Sequence, residues 1–443
     1  MRIVAQMAAA MQAVFGKSLD ELAKSTGCVQ RERKFSGSTL LETLVFTLLQ
    51  HPDAKDRDYR TIAAQFGIDV TDQAVQGRFS AGLVNFLQAA LQHALAVTLQ
   101  ATPPDLPLLR KFSQVVIGDS TSISLPDELA DQFPGCGGSG EVGKAALKIQ
   151  VAWNLITGEL KLLIEPGRAS DAKSPIVQAS LPAGSLSIFD LGYFSLERFA
   201  RVGEARAYWI SRFQHGTQVF DDAEKQLDLL AFLRCHAKNG LVDAYVTAGR
   251  EERLPCRLIA VRVPPEVANR RRQRIREKAR DRGREPSQAY LDLQEWTIFI
   301  TNCPAELLTW REVVVLYRAR WQIELLFKLW KSHNRLAERE THDAVERQMA
   351  VLYAKLIGVI VQHWLLLTAV WSDGRRSLRR AAAILRNWIV LFIETLNDFE
   401  RMCGLLHRLG GTLAKSARVT NRRKHPSLFQ LLENPELLEY TVA

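Results

Sequence analysis

The chain is poor in cysteine. Its six, Cys28, Cys136, Cys235, Cys256, Cys303 and Cys403, form no C-x2-C pair and join no cluster of histidines in 443 residues. That scatter argues against a disulfide framework and a structural zinc site, and it fits a reducing cytoplasm. Uninterrupted apolar runs are also scarce. Only Val351 to Trp371 is long enough to cross a bilayer, and Lys355, Gln362 and His363 interrupt it, so a buried core helix is expected there and no membrane partner. The opening MRIVAQMAAAMQAVFG imitates a signal peptide only faintly. Gln6 and Gln12 break its apolar stretch, and SLDELAKSTG continues it in helical style. Acidic residues are fewer than basic ones, 48 against 58, and the resulting +10 favours a polyanionic partner. No internal repeat or low-complexity tract is present.

The strongest pattern is Leu316 to Lys331, LYRARWQIELLFKLWK. At about 100° per residue, a helix here places Tyr317, Arg320, Glu324 and Lys331 within a ~60° arc, flanked by Trp321 and Lys328. Leu316, Ala319, Ile323, Leu326, Phe327 and Trp330 gather opposite, as core packing requires. One carboxylate among cations and aromatics, strung over about 21 Å, suits a phosphodiester chain. Amphipathicity alone equally suits a solvated face with an Arg320–Glu324 pair at i and i+4.

Length allows two or three domains, and 47% apolar content marks a globular chain. Residues 1–105 read as helices with short loops. Within them, residues 58–79 resemble a helix-turn-helix: Ala63 and Ala64 pack the first helix, Gly67 turns, Ile68 fills the corner, and Thr71 caps a second helix running through Arg78. That second helix would present Gln73, Gln76 and Arg78 to DNA, although two packed helices without DNA contact fit the same pattern. TPPDL, at Thr102 to Leu106, is a natural boundary. Strands follow: Ser113 to Ile117 leading to Asp119, Lys148 to Leu155 and Leu160 to Ile164 about the Thr157-Gly158 turn, then Leu186 to Phe189 ending in Asp190. Ala172 to Ser180 and Ser195 to Val202 look helical, and Ala207 to Phe213 resumes strand. An antiparallel meander followed by alternating strand and helix is an α/β layer order, of which the RNase H-like (retroviral integrase-like) fold is one case. Residues 214–292 read as a mainly β insertion with strands at Leu241 to Thr247 and Arg257 to Val263, before Trp296 to Thr301 resumes a buried strand. Its segment Arg270 to Arg284 holds nine basic and two acidic residues, most of the net charge. Arg270, Arg271 and Arg272 there are candidates for phosphate-backbone contact, against the plainer reading of a solvated or disordered run. Residues 337–443 return to helix, with basic clusters at Arg375, Arg376, Arg379 and Arg380 and at Arg422, Arg423 and Lys424.

Phosphodiester cleavage without a covalent intermediate is served by two divalent metals ~3.5–4 Å apart, held by carboxylates converging from separate elements. Asp119 and Asp190 each follow an apolar strand (QVVIGD, LSIFD), where side chains can converge with Glu324. Either alone could merely cap a turn. Of the nine histidines, His215, His236, His333 and His363 show no acid-base or metal spacing. The stretch from Gly135 to Gly140 lacks the remaining residues of a phosphate loop and reads as a mobile loop.

The spacing Y-x2-R-x3-E-x6-K at Tyr317, Arg320, Glu324 and Lys331 resembles the signature of insertion-sequence DDE transposases of the Tyr-Arg-Glu-Lys branch. Asp119 with Ser120 and Thr121 resembles the family's first acid, Asp190 with Gly192 and Tyr193 its second, and Glu324 its third. Leu191 departs from the charged residue often found after the second acid. The resemblance covers residues 106–336 well and the flanks in outline. It implies an RNase H-like catalytic domain at 106–336 with helical domains at 1–105 and 337–443. Asp119, Asp190 and Glu324 would be the catalytic acids holding two Mg2+ ions, with Mn2+ as substitute. Tyr317, Arg320, Lys331 and Lys328 would hold DNA phosphates, and Trp296 and Trp321 would stack on a displaced base. For Trp296 a core position in its strand is the competing reading. The activity implied is binding of terminal inverted repeats in double-stranded DNA, cleavage at the ends and joining of 3′-hydroxyls to target DNA, by a dimer formed through the C-terminal helices. Two other activities fit the same residues: a domesticated nuclease without strand transfer, and a non-catalytic DNA-binding regulator.

Overall fold

A computed structural model describes residues 2–31, 34–136, 144–338, 344–373, 375–422 and 424–438, excepting the side chains of residues 2 and 368–370. Most of the glycine-rich stretch, from Gly137 to Gly140, and Arg423 lie outside the described residues. The chain divides into two compact units. The first combines Met1–Asp105, Ser120–Ala169 and Gln322–Thr420, and the second combines Leu106–Asp119, Ser170–Trp321 and Asn421–Ala443.

The first unit is built around the helix Val345–Val370, which packs against Gly37–Gln50, Ala81–Ala96 and Phe399–Ser416. Helices from both ends of the sequence therefore share one core. The central helix is apolar on nearly every side, and 94% of its most apolar window is buried. Two of its interior polar residues have partners: Lys355 Nζ donates to the Arg335 carbonyl (2.8 Å), and His363 Nε2 lies 2.7 Å from the Gly158 carbonyl. An interior cation and imidazole are tolerable only when paired in this way.

The helix-turn-helix stretch differs from expectation in two details, Ala64 and the end of its second helix. The first helix, Asp56–Gln65, buries Tyr59, Ile62 and Ala63, but Ala64 faces solvent. Gly67 turns the chain at φ +74°, Ile68 is buried, and the Thr71 hydroxyl accepts from Ala74 N at 3.2 Å. The second helix is only Asp72–Gln76, because Gly77 ends it before Arg78.

Nine strands are present among the described residues: β1 (Val115–Ser124), β2 (Ala146–Asn154), β3 (Leu160–Pro166), β4 (Leu186–Phe189), β5 (Tyr208–Arg212), β6 (Val219–Phe220), β7 (Leu241–Ala248), β8 (Leu254–Arg262) and β9 (Trp296–Thr301). They form a large mixed sheet. In the second unit the order is β1-β4-β5-β9-β8-β7-β6, with β1, β4 and β5 parallel and the remaining pairs antiparallel. β1 passes into the first unit at Ser120, where the order continues as β3-β2-β1. β4 and β9 are apolar runs buried along their whole length, as strands covered on both faces must be. The insertion is not mainly β: residues 214–292 contribute β6, β7 and β8 together with helices Leu229–His236, Pro265–Arg280 and Gln288–Asp292. Ala172 to Ser180 is likewise two short pieces, a 3-10 turn at Asp171–Lys173 and a helical turn at Pro175–Gln178.

Candidate active site

Asp119 and Asp190 leave neighbouring parallel strands at matched heights. The β1–β4 ladder pairs Val115 with Leu186 and ends with Gly118 opposite Phe189, so each aspartate follows the last paired residue of its strand. Asp190 stands just beyond β4 and opens the 3-10 turn Leu191–Tyr193. Asp119 is placed differently from expectation. β1 does not end there but continues to Ser124, and the aspartate sits where the β4 pairing stops.

The partner these two acids share is Arg320. Its Nη1 donates to Asp119 Oδ2 at 3.1 Å, and its Nε lies 3.5 Å from Asp190 Oδ1. The guanidinium is the most enclosed of the three side chains at 13% exposed, against 19% for Asp119 and 43% for Asp190. Tyr317, one turn earlier, meets Phe299 of β9 edge-to-face at 5.2 Å. Burial pushes its hydroxyl above the ordinary range, against the pull of Arg320 and Arg212. Arg212 closes β5, with its guanidinium 5.5 Å from the Phe299 ring centroid. Burial lowers its proton affinity most, while Tyr317 and Asp190 oppose that, and its Nε has no hydrogen-bond partner among the described residues. Sequence reading passed over Arg212. Its signal was a cation at the end of the otherwise apolar run AYWISRF.

The presumed single helix over Leu316 to Lys331 is broken. Trp310–Ala319 starts from a capping box, in which the Thr309 hydroxyl accepts from Glu312 N (3.3 Å) and the Glu312 carboxylate accepts from Thr309 N (2.8 Å). Arg320 caps its end, Trp321–Lys328 follows, and a π-helical turn covers Leu329–His333. The apolar face is as anticipated, with Leu316, Ala319, Ile323, Leu326, Phe327 and Trp330 all buried. The wider π turn, however, takes Lys331 off the 100° progression. Trp321 is 56% exposed and Lys328 is exposed, while Glu324 and Lys331 are half-buried. Among the described residues no three Asp, Glu, His or Cys side chains gather into a metal-binding group. Within the second unit, Asp119 and Asp190 are brought together. Two carboxylates within 3.5 Å of one cationic group have the charge and the hard oxygen donors that a divalent ion such as Mg2+ requires.

Three candidate DNA contacts are corrected. Trp296 is 4% exposed and belongs to the core around β9, so its ring has no free face for a base. Arg271 donates to the Trp296 carbonyl (3.2 Å) and the Thr297 hydroxyl (3.0 Å), and burial, with nearby Arg212, lowers it to about 10. Arg272 donates to the Leu291 carbonyl (3.0 Å) and to Glu295 (2.8 Å). Both guanidiniums fasten their helix to the protein, whereas Arg270 is exposed. Arg78 is half-buried, with its guanidinium 5.5 Å from the Phe35 ring centroid.

A sequence model of the transposase DDE domain matches residues 110–357, which include both aspartates, Arg212 and the Tyr317–Lys331 segment. The chain belongs to the DDE transposase family. This transposase is similar along nearly its whole length to insertion-sequence transposases. The transposase for element IS231B of Bacillus thuringiensis subsp. berliner is 27% identical, with 94% of this chain and 92% of that protein covered. That for IS231F of Bacillus thuringiensis subsp. israelensis is also 27% identical at the same coverage. The transposase for IS1151 of Clostridium perfringens is 25% identical over 79% of this chain and 78% of its own. Transposases act on DNA, and DDE domains normally work with divalent metal ions.

Proposed function

We propose that this transposase binds the terminal inverted repeats of its own element, cleaves at the ends and joins the freed 3′-hydroxyls to target DNA. The observation that carries this reading is the pair Asp119 and Asp190, set side by side on parallel strands and sharing one guanidinium. The order β3-β2-β1-β4-β5, a meander followed by parallel strands with an intervening helix, supports an RNase H-like core.

In this reading Asp119, Asp190 and Glu324 hold two Mg2+ ions, with Mn2+ able to substitute. When bound, such ions would supply Lewis-acid activation of the attacking oxygen and stabilisation of the leaving one. Arg320 and Tyr317 turn toward DNA phosphates around the cut, Arg320 through its fork and Tyr317 through its hydroxyl. Lys328 and Lys331 add point charges, and Arg212 contributes a further cation beside Asp190. Trp321, exposed at the start of its helix, offers a face for a base displaced at the element end. Two ends must be held together for joining, so the DNA complex is a homodimer.

Incubating a pre-cleaved end duplex with a supercoiled plasmid and Mg2+ tests the joining step. Covalent end–plasmid products are expected. Cleavage of uncut ends without any such product would instead mark a nuclease that does not transfer strands.

A further inference from the structure

We propose that Gly118 and Phe189 form a steric lock that sets the placement of Asp119 relative to Asp190, making both positioning residues for the reaction. This inference rests on the reading of the two aspartates given above. Gly118 immediately precedes Asp119, Phe189 immediately precedes Asp190, and the two stand opposite each other at the end of the β1–β4 ladder. The phenyl ring lies across the glycine. A Cβ added at Gly118 would stand 1.8 Å from Phe189 Cε1, 2.1 Å from Cδ1 and 2.7 Å from Cζ, far inside any real contact. The ring edge thus fills the space a side chain would need.

The ring also has little room to retreat. It is 5% exposed, packs on Tyr193 at 5.3 Å between centroids, and is backed by the Arg198 guanidinium at 5.0 Å. That guanidinium is itself sandwiched, 4.9 Å from the Phe199 ring, which stacks on Trp209 of β5 at 4.3 Å and 12°. A stack of Phe189, Arg198, Phe199 and Trp209 therefore presses the ring onto Gly118. Cores of this kind are packed at crystal-like density and pass a displacement on. The residue next to the displaced ring is Asp190. An alanine at position 118 must either push that acid away from Asp119 or break the stack, and catalytic groups lose much of their effect for misplacements of about 1 Å.

The test compares wild type, Gly118→Ala, Phe189→Ala and the double variant, each as the full chain. Gly118→Ala is expected to bind an end duplex within a few-fold of wild type. Its cleavage should fall about 100-fold, and its half-saturating Mg2+ should rise about tenfold. A residue that only supported the fold would not move the Mg2+ requirement at unchanged end binding. Removing the ring in Gly118→Ala/Phe189→Ala restores the space, so the double variant should cleave at least tenfold faster than Gly118→Ala and melt higher than the sum of the single effects allows. Wild-type cleavage and Mg2+ demand in Gly118→Ala would overturn the lock, as would a double variant no better than the single in both rate and melting. If Gly118→Ala does not fold, the double variant carries the test, and its failure to fold would overturn the proposal too. Should wild type itself not cut with Mg2+, the functional reading fails, while the melting cycle and Mn2+ titration of the DNA-free proteins still decide the lock.

Discussion

Replacing Arg320 with Gln removes a guanidinium that Asp119 and Asp190 share, and the structure allows the effect to be sized. At an effective dielectric near 20, charges at about 3.1 and 3.5 Å attract by roughly 5 kcal/mol each before solvation is counted. Asp190 is nearly half exposed, so its share nets about 0.5 kcal/mol after screening. The Asp119 contact is a charge-assisted hydrogen bond between mostly covered groups, worth about 1.5–3 kcal/mol. A divalent cation that settles between the aspartates must displace a guanidinium worth about 2–3 kcal/mol. Its removal should therefore tighten Mn2+ binding to the DNA-free protein by at least about tenfold. Isothermal titration near neutral pH reads this directly, with Arg320→Lys intermediate because it keeps the charge and loses the fork. Cleavage should fall in both variants, since the same side chain is assigned to a DNA phosphate. An Arg320→Gln protein that is folded yet binds Mn2+ no more tightly than wild type would refute the competition.

Three further outcomes are expected. Burial, with the nearby charge of Asp20, pushes the Glu42 carboxyl up to about 8 from an ordinary value of 4.5. The folded chain then holds a proton that the unfolded chain has lost, so stability is full below about 4.5 and declines as pH rises to about 8. Glu42→Gln should flatten melting curves across that window and gain a few kcal/mol at its upper end; parallel curves for the two proteins would contradict this. In the basic helix, Arg270, Arg274 and Arg276 are exposed, and their replacement by Ala should weaken DNA binding and flatten its salt slope by about 0.9 per lost phosphate contact in anisotropy titrations. Replacing Arg271 and Arg272 should instead lower the melting temperature. Trp296→Ala should cost about 3–5 kcal/mol in denaturant unfolding, while Trp321→Ala should stay within about 0.5 kcal/mol and act on DNA cleavage alone.

Elements whose identity depends on local pattern were legible in the sequence. β4 and β9 occupy the residues expected of them, because a short apolar run bounded by Asp190 or by Glu295 and Asn302 leaves little choice. The long helix was readable as core because its lysine, glutamine and histidine forbid a lipid environment. What escaped depends on tertiary partners. β1 runs past Asp119 because Thr121 and Ile123 alternate inward, a pattern hidden by the turn-like Asp-Ser-Thr-Ser string. On a helical wheel Arg320 pairs naturally with Glu324, and nothing local says that it reaches to two acids more than a hundred residues away. The basic run carried a readable clue. Ala268, Arg271, Arg272, Ile275 and Ala279 fall at i, i+3, i+4, i+7 and i+11, the spacing of a packed face, and all five are covered.

We propose that Asp119, Asp190 and Glu324 act together as one metal-dependent active site. This is tested most directly by Mg2+-dependent cleavage of a labelled duplex carrying the element's end, comparing wild type with Asp119→Ala, Asp190→Ala and Glu324→Ala. Only the wild type is expected to cut, while all three folded variants still bind the duplex. Cleavage by any of the three at the wild-type rate, or binding without cleavage by all four proteins, would contradict it.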